Sequence, residues 1–451
     1  LVRCHVRVQS GKIVKVLAET QQHGLPTTPP LGDFWNILRM SRVDARGCIL
    51  LPCFVDAHTH MTKTEIVPRL VNRTGTMTEA MTIEPSDQET HWDHPKDVYR
   101  RMEFAISSAL HYGTKALRTH LDGTTSEHAH VRQAVWYAFT DLQQKYKDSL
   151  VLQGVANLYL PLWLDPVLAQ EHADEAAKYQ HVVLGAYVGA LSSESEHAPT
   201  VAALDVLLTH AKRLNMDVDL HIDESNDPEC CALLCLVESL AKARQAGYQG
   251  RVVLGHCCAL SLQTPDRQAA ICRDLARLQA HVVVNPFTNL GLQDRRGSTR
   301  PLSLPIDADT PRTPQWRGLS LVQELRAAGV NVVAASDNVR DHWYPYGDYD
   351  LLAVWSQALQ LAHLDTAPTP GHWADLCNQS AARAMGLEGL DSTATNGTIA
   401  VDELADFILF PSARRVSELL ARPQTDRIVI RKGVVARVPL PDFAVLDDLV
   451  A

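Results

Sequence analysis

From about residue 50 to residue 390 the chain alternates short apolar runs with longer segments in which apolar residues recur every three or four positions. Short runs bounded by polar or Gly positions predict buried strands, and the 3.6-residue spacing predicts amphipathic helices. Strands are expected over 49–55, 115–121, 150–156, 181–188, 216–222, 251–255, 281–285 and 331–335. Helices are expected over 97–111, 130–146, 165–179, 201–214, 228–246, 266–279 and 319–328, with Gly113 and Gly329 just past two of the stops. Alternating β and α units imply a parallel sheet, and eight of them imply an α/β protein built on a (β/α)₈ TIM barrel.

The two ends of the chain follow a period of two instead. Residues 2–8 and 12–17 alternate around Ser10-Gly11, and 405–410, 426–431 and 434–438 alternate in the tail. These ends predict a small β-sandwich domain, 1–49 plus 393–451, beside a barrel domain at 50–392. Residues 21–32 read as a Pro-containing loop. The stretch from His60 to about Asp93 exceeds an ordinary strand-to-helix connection and is a candidate pocket wall.

Charge narrows the function. The net charge is −10 and no Lys/Arg stripe forms, so nucleic acid is an improbable partner. No secretory signal pattern and no bilayer-length apolar run are found, so a cytoplasmic protein without membrane contact is expected. Ten cysteines include the adjacent pairs Cys230-Cys231 and Cys257-Cys258, a spacing that suits reduced thiols better than a disulfide framework.

Chemistry in such barrels sits at the C-terminal ends of strands. The first run ends in His58-Thr59-His60, and strand alternation puts both imidazoles on one face. The fifth ends in His221-Ile222-Asp223-Glu224, the sixth in His256 and the eighth in Asp337-Asn338. Alone, a strand-end His is usually a satisfied core residue and a lone Glu a solvated one. Groups of this kind from four strands at one barrel mouth point to a metal. Three imidazoles and a carboxylate suit Zn²⁺, Fe²⁺ or Mn²⁺. Such an ion lowers the pKa of bound water to about 7, and Glu224 and His256 are the candidates to move protons beside it.

His58-x-His60, His221-x-x-Glu224, His256 and Asp337 together resemble the amidohydrolase superfamily. Arg118-Thr119-His120-Leu121-Asp122, Asn285-Pro286-Phe287-Thr288-Asn289 with Leu292-Gln293, and Trp343-Tyr344-Pro345-Tyr346-Gly347 are similar to segments of its bacterial cytosine deaminases. The resemblance covers nearly the whole chain, including the split terminal domain. It implies a hydrolytic deaminase with one divalent metal ion, Fe²⁺ or Zn²⁺, held by His58, His60, His221 and Asp337. It also implies that metal hydroxide attacks the amino-bearing ring carbon and that ammonia leaves. Glu224 would protonate the adjacent ring nitrogen, while His256 and Asp337 orient the water and take its proton. Residues 181–188 contain no lysine, whereas binuclear members carry a carboxylated lysine there; a single ion is therefore expected.

Two departures bear on the substrate. Cytosine deaminases carry a glutamine where Tyr159 falls and a second aspartate where Asn338 falls. A phenol and a neutral amide offer different donors and acceptors, and buried hydrogen bonds discriminate by orders of magnitude. The expected substrate is accordingly an amino-substituted N-heterocycle, cytosine-like or a related pyrimidine or triazine, bound by Tyr159, Asn338, Trp343 and Met77. Trp343 reads equally as a ring-stacking residue or a rim anchor. His120 reads as a hydrogen-bonding strand-end residue or a support for the metal site. Lys63 and Glu65 read as solvated loop charges, and Asp93 as the cap of the helix that follows. Two other functions stay open: opening of a cyclic amide or urea, and a non-catalytic scaffold barrel, which would be expected to have lost ligands. The partner expected is a small heterocycle, with a homo-oligomer left open.

Overall fold

Eight parallel strands, each hydrogen-bonded to its neighbours in chain order, form the centre of the fold. They span Phe54–Thr59, Thr114–His120, Val151–Tyr159, Val182–Val188, Val218–Ile222, Val252–His256, Ala280–Val284 and Asn331–Ala334. The computed structural model describes residues 4–18, 45, 47–93, 96–191, 193–295, 313–366, 373–388 and 396–450. The expected loop at 21–32 and the domain boundary at 392–393 lie outside them. The first and last strands meet through a parallel bridge between Thr59 and Asp337, with the Asp337 amide donating to the His58 carbonyl at 2.9 Å. The expected (β/α)₈ barrel is therefore present.

One apolar run turns out to serve two sheets. Residues 49–55 read as a single strand, yet Ile49–Pro52 pairs antiparallel with Phe407–Phe410, and the barrel begins only at Phe54. Phe407–Phe410 divides its side chains by strand alternation. Ile408 and Phe410 join the main barrel core, while Phe407 and Leu409 pack with Ile13 and Ile430 between the terminal strands. That second core lies between a two-stranded hairpin, Cys4–Gln9 with Lys12–Ala18, and a four-stranded antiparallel sheet that includes Ile428–Arg431. Buried ion pairs tie the terminal sheets to the barrel: Lys115 with Asp406 and Arg427 with Asp350, each at 2.5 Å.

The long segment after His60 is a wall, as expected, but it is also helical. It contains a 3₁₀ turn, Met61–Lys63, and a helix, Met77–His91. Thr76 caps that helix by accepting from the Glu79 amide at 3.2 Å. Its apolar residues, Met77, Ala80, Met81 and Ile83, stop within the first two turns and Pro85 follows, so no sustained apolar period announces it. The next helix begins at Asp97, with Lys96 at the cap position; Asp93 does not cap it, a correction to the expectation. Among the described residues no helix is long and apolar enough to cross a membrane.

Inside the barrel the floor is apolar: Val253, Val283 and Val333 pack against Ala381, Met385 and Leu387. Above it Arg118 donates to Asp219 Oδ2 at 2.9 Å and to Gln153 Oε1 at 2.8 Å. The strand ends rise from this layer to the mouth.

A second buried ionic cluster braces the chain beside the mouth. The fully buried Arg101 donates to Asp97 Oδ1 at 2.7 Å and to the carbonyl of Thr64 at 3.2 Å, and Arg69 also reaches Asp97. Removing one partner of a buried pair costs about 3–5 kcal/mol. We expect Asp97→Asn to lose about that much stability in urea denaturation at pH 7. Burial raises the Asp97 carboxyl, but Arg101 and Arg69 more than reverse this and leave it below its usual range. The folded pKa lies below the unfolded value, so the wild-type advantage is full above about pH 4 and shrinks as the pH falls through the folded value. A variant of unchanged stability would mean that the Arg101 charge is balanced elsewhere.

Candidate metal centre and active site

The strand ends gather the expected donors. His60 Nε2 lies 3.1 Å from His221 Nε2 and 3.4 Å from Asp337 Oδ1, and His58 Nε2 lies 3.4 Å from the same oxygen. A tetrahedral ion with ligand bonds of 2.0–2.1 Å separates its ligands by about 3.3–3.4 Å. These three separations are close to what such an ion requires, and His58 belongs to both groups of converging donors, one with His60, His120 and His221 and one with His256 and Asp337. His58 Nε2 and both Asp337 oxygens are buried with no hydrogen-bond partner. Orphaned buried polar atoms are costly, and a divalent cation is the group that would satisfy all three.

Neighbours set which nitrogen of each ring faces the centre. Asp122 Oδ2 lies 2.9 Å from His60 Nδ1 and also accepts from Thr62 Oγ1 at 3.0 Å. With its Nδ1 proton given to that carboxylate, His60 keeps the Nε2 lone pair for a ligand. His120 lies behind His58, Nε2 to Nδ1 3.2 Å, and the Asn157 amide lies 2.9 Å from His120 Nδ1. Both readings of His120 thus meet: it is hydrogen-bonded at a strand end and it backs a donor. Gly255 makes room for His58, since a Cβ there would come within 2.8 Å of His58 Cε1.

Backbone geometry aims the remaining groups. Asp223, His256 and Asp337 all adopt left-handed φ values, 48°, 72° and 61°. Non-glycine residues hold such conformations at a cost, and they cluster at functional sites. The Asp223 carboxylate accepts from the amides of Ala232 and Leu233 at the next helix N-terminus, each at 3.2 Å. The turn there carries Glu224 back over the mouth, where its Oε1 lies 3.3 Å from His256 Nδ1. Asn289 donates to the same His256 nitrogen at 2.9 Å. Burial, aided by the Asp337 charge, raises the Glu224 carboxyl well above its usual range. Burial pulls His256 down to about 3, so the ring is neutral.

A cavity of about 340 Å³ opens above these groups. Tyr159, Asn338 and Trp343 line it as expected, with Tyr159 half-exposed at the rim and Asn338 bonded to Asp341 Oδ2 at 2.8 Å. Trp343 is anchored to Glu84 Oε2 at 3.1 Å and still borders the cavity. Met77 is displaced from the expectation: it begins the wall helix beside Gln293, and Met81, one turn further on, lines the cavity. Lys63 and Glu65 correct another expectation. Both are buried, Lys63 between Glu84 and Asp122 and Glu65 against Arg340 at 2.7 Å. Sequence reasoning assigned no role to Asp122, Tyr187 or the wall-helix residues Glu84 and Gln88, all of which line the cavity. Asp122 and Tyr187 stand at or just past the ends of the second and fourth strands, so the strand-end rule applied to His58 would have found them.

A barrel with imidazole and carboxylate donors at its mouth and a buried glutamate of raised pKa beside them defines a metal-dependent hydrolase. A family model, described as the amidohydrolase family, matches residues 119–437, and the chain belongs to that family. It is 34% identical to a pterin deaminase of Rhizobium rhizogenes (strain K84 / ATCC BAA-868) over 412 residues, 91% of this chain and 86% of that one. It is 25% identical to the N-isopropylammelide isopropyl amidohydrolase of Pseudomonas sp. (strain ADP), over 82% of this chain and 81% of the other. Among solved structures, a 5-methylcytosine deaminase from Klebsiella pneumoniae superposes with a TM-score of 0.77 at 24% identity, covering 98% of this chain and 96% of that one. Metal-dependent hydrolytic deamination of an amino-substituted N-heterocycle, which the family resemblance implied, agrees with this membership.

His221→Ala removes one of the closely spaced donors without touching the barrel closure. We expect the purified variant to lose its bound metal in elemental analysis while keeping the wild-type circular dichroism. A variant that binds the ion with wild-type affinity would exclude His221 as a ligand.

Proposed function

We propose that the protein is a hydrolytic deaminase of a 2-amino-4-oxo bicyclic heterocycle of the pterin class, with His58, His60, His221 and Asp337 holding one divalent ion, Fe²⁺ or Zn²⁺. The close approach of His60 to His221 and of both His58 and His60 to Asp337, beside Glu224, carries the reaction type. The relative at 34% identity, together with a cavity inside the usual 300–1,000 Å³ range for small-ligand pockets, supports the ring class. The fourth strand, Val182–Val188, contains no lysine to bridge a second ion, which supports a single one.

When bound, the ion supplies hydroxide at neutral pH by lowering the pKa of water to about 7. The chain's residues do the rest. Glu224, protonated because it is buried, gives its proton to the ring nitrogen next to the amino-bearing carbon and makes that carbon electrophilic. Neutral His256, steadied by Asn289, and the Asp337 carboxylate orient the attacking water and accept its proton. That proton then reaches the amino group, which leaves as ammonia, and the hydroxyl proton left on the attacked carbon returns to Glu224 as the carbonyl forms. Trp343, Tyr159 and Tyr187 enclose the flat ring and exclude water from its faces.

Ammonia release is to be measured with pterin, cytosine and an aminotriazine, on protein loaded separately with Fe²⁺ and Zn²⁺. The expected order places pterin first in kcat/KM. Hydrolysis of a cyclic amide with no ammonia formed from any amino ring would transfer the assignment to the rival ring-opening reaction. In the same assay Glu224→Gln should keep its metal and lose about 10²–10⁴-fold in kcat, the usual worth of a positioned acid. Wild-type turnover in that variant would remove Glu224 from the proton path.

A further inference from the structure

The mechanism leaves one buried charge at the cavity without a task. Lys63 follows His60 on the 3₁₀ turn, is 4% exposed, and lines the cavity together with Glu224, His256 and Asn338. Its Nζ stands 3.5 Å from Asp122 Oδ1, 3.7 Å from Glu84 Oε2 and 4.8 Å from the centre of the Trp343 ring. Both carboxylates lie beyond the usual hydrogen-bond length of about 2.7–3.2 Å. They also have closer partners: Asp122 has His60 and Thr62, and Glu84 has His342 at 3.0 Å and Trp343 at 3.1 Å. Charge and the aromatic face therefore hold the ammonium in place, while its N–H groups remain available to the cavity. Burial lowers the Lys63 pKa, but Asp122 and Glu84 more than reverse this and keep the group charged.

We propose that Lys63 is a specificity-determining residue that donates a hydrogen bond to an oxo oxygen on the substrate ring, selecting amino-oxo heterocycles over amino heterocycles that lack the oxygen. An ammonium has donors and no acceptor, so it recognises an acceptor on the ligand. Of the acceptors on an amino-oxo ring, the nitrogen beside the attacked carbon receives the Glu224 proton, which leaves the exocyclic oxygen as an acceptor for the ammonium. Hydroxide addition pushes electron density through the conjugated ring onto that oxygen. The Lys63 contact therefore strengthens as the reaction proceeds, which is the condition for raising kcat rather than binding alone. This inference rests on the deaminase reading and names the part of the substrate that the site selects.

The test uses the metal-loaded full chain, wild type and Lys63→Met, with pterin and with 2-aminopteridine, which lacks the oxygen. Loss of one charge-assisted hydrogen bond should lower kcat/KM for pterin about 10–100-fold, with less than about a threefold change for 2-aminopteridine. An equal loss on both rings would mark Lys63 as purely structural and overturn the proposal; so would no loss on either. Should Lys63→Met fail to fold, Lys63→Leu, which also lacks a donor, carries the same comparison. Fluorescence titration with the deaminated dioxo product needs no turnover: binding weakened at least about tenfold in the variant supports the contact, and unchanged binding refutes it. If the wild type releases no ammonia from pterin, the pterin reading falls, and the Lys63 comparison moves to whichever amino-oxo ring is turned over. Guanine against 2-aminopurine and isocytosine against 2-aminopyrimidine are the matching pairs.

Discussion

The barrel closes at its most chemically demanding point. The seam between first and last strands is the contact of His58 and Thr59 with Asp337, and two of those three residues carry candidate ligand atoms. One backbone hydrogen bond thus fixes the sheet and brings residues 279 positions apart within 3.4 Å. Asp56 reinforces the seam by accepting from the Ser336 amide at 3.1 Å. A looser seam would separate His58 from Asp337 before it disturbed any helix, so integrity of the fold and integrity of the centre are one property.

Burial does the electrostatic work around that seam, and it acts in opposite directions on neighbouring groups. It raises Glu224 and so keeps a proton on a carboxyl, and it lowers His256 and so keeps a ring neutral. It would raise Asp337 as well, but the surrounding imidazoles hold that carboxyl below its usual range. Two carboxyl groups that share a wall are therefore pushed in opposite directions, Glu224 up and Asp337 down. The strained φ values at Asp223, His256 and Asp337 deliver these groups to the same few ångströms. Beneath them, the Arg118–Asp219 pair and the apolar floor give the strand ends a rigid base.

How far the sequence could be read follows from what each part of the chain has to satisfy. Barrel strands must bury both faces, so they appear as apolar runs, and their ends can be inspected for chemistry; His58, His60, His221, Glu224, His256 and Asp337 were all legible in that way. The split of 49–55 between two sheets was not, because periodicity records burial and not the partner strand. Nor was the helix Met77–His91, which packs a polar, proline-containing surface beside a water-accessible cavity and needs no apolar stripe. Met77 was selected for chemistry in a segment whose helical phase was unknown, and Met81, one turn away, occupies the wall. Lys63 and Glu65 read as solvated in the sequence because isolated charges usually are; the partners that make burial tolerable, Glu84 and Arg340, are distant in sequence.

The division between what was legible and what was not coincides with a division of labour. The reacting centre comes from strand ends, where the barrel dictates position. Much of the substrate wall comes from the segment after His60 and the loop after Asp337, and these meet through Lys63, Glu84, His342 and Trp343. Substitutions in that wall can change which ring is accepted while the donors beneath stay in place, because none of the four wall residues is among the converging donor atoms. The coupling is not zero: Asp122 faces both ways, holding the His60 ring with one oxygen and lying near Lys63 with the other. Lys63 and the His60 ring therefore share one carboxylate neighbour, which lies between the wall and the converging donors.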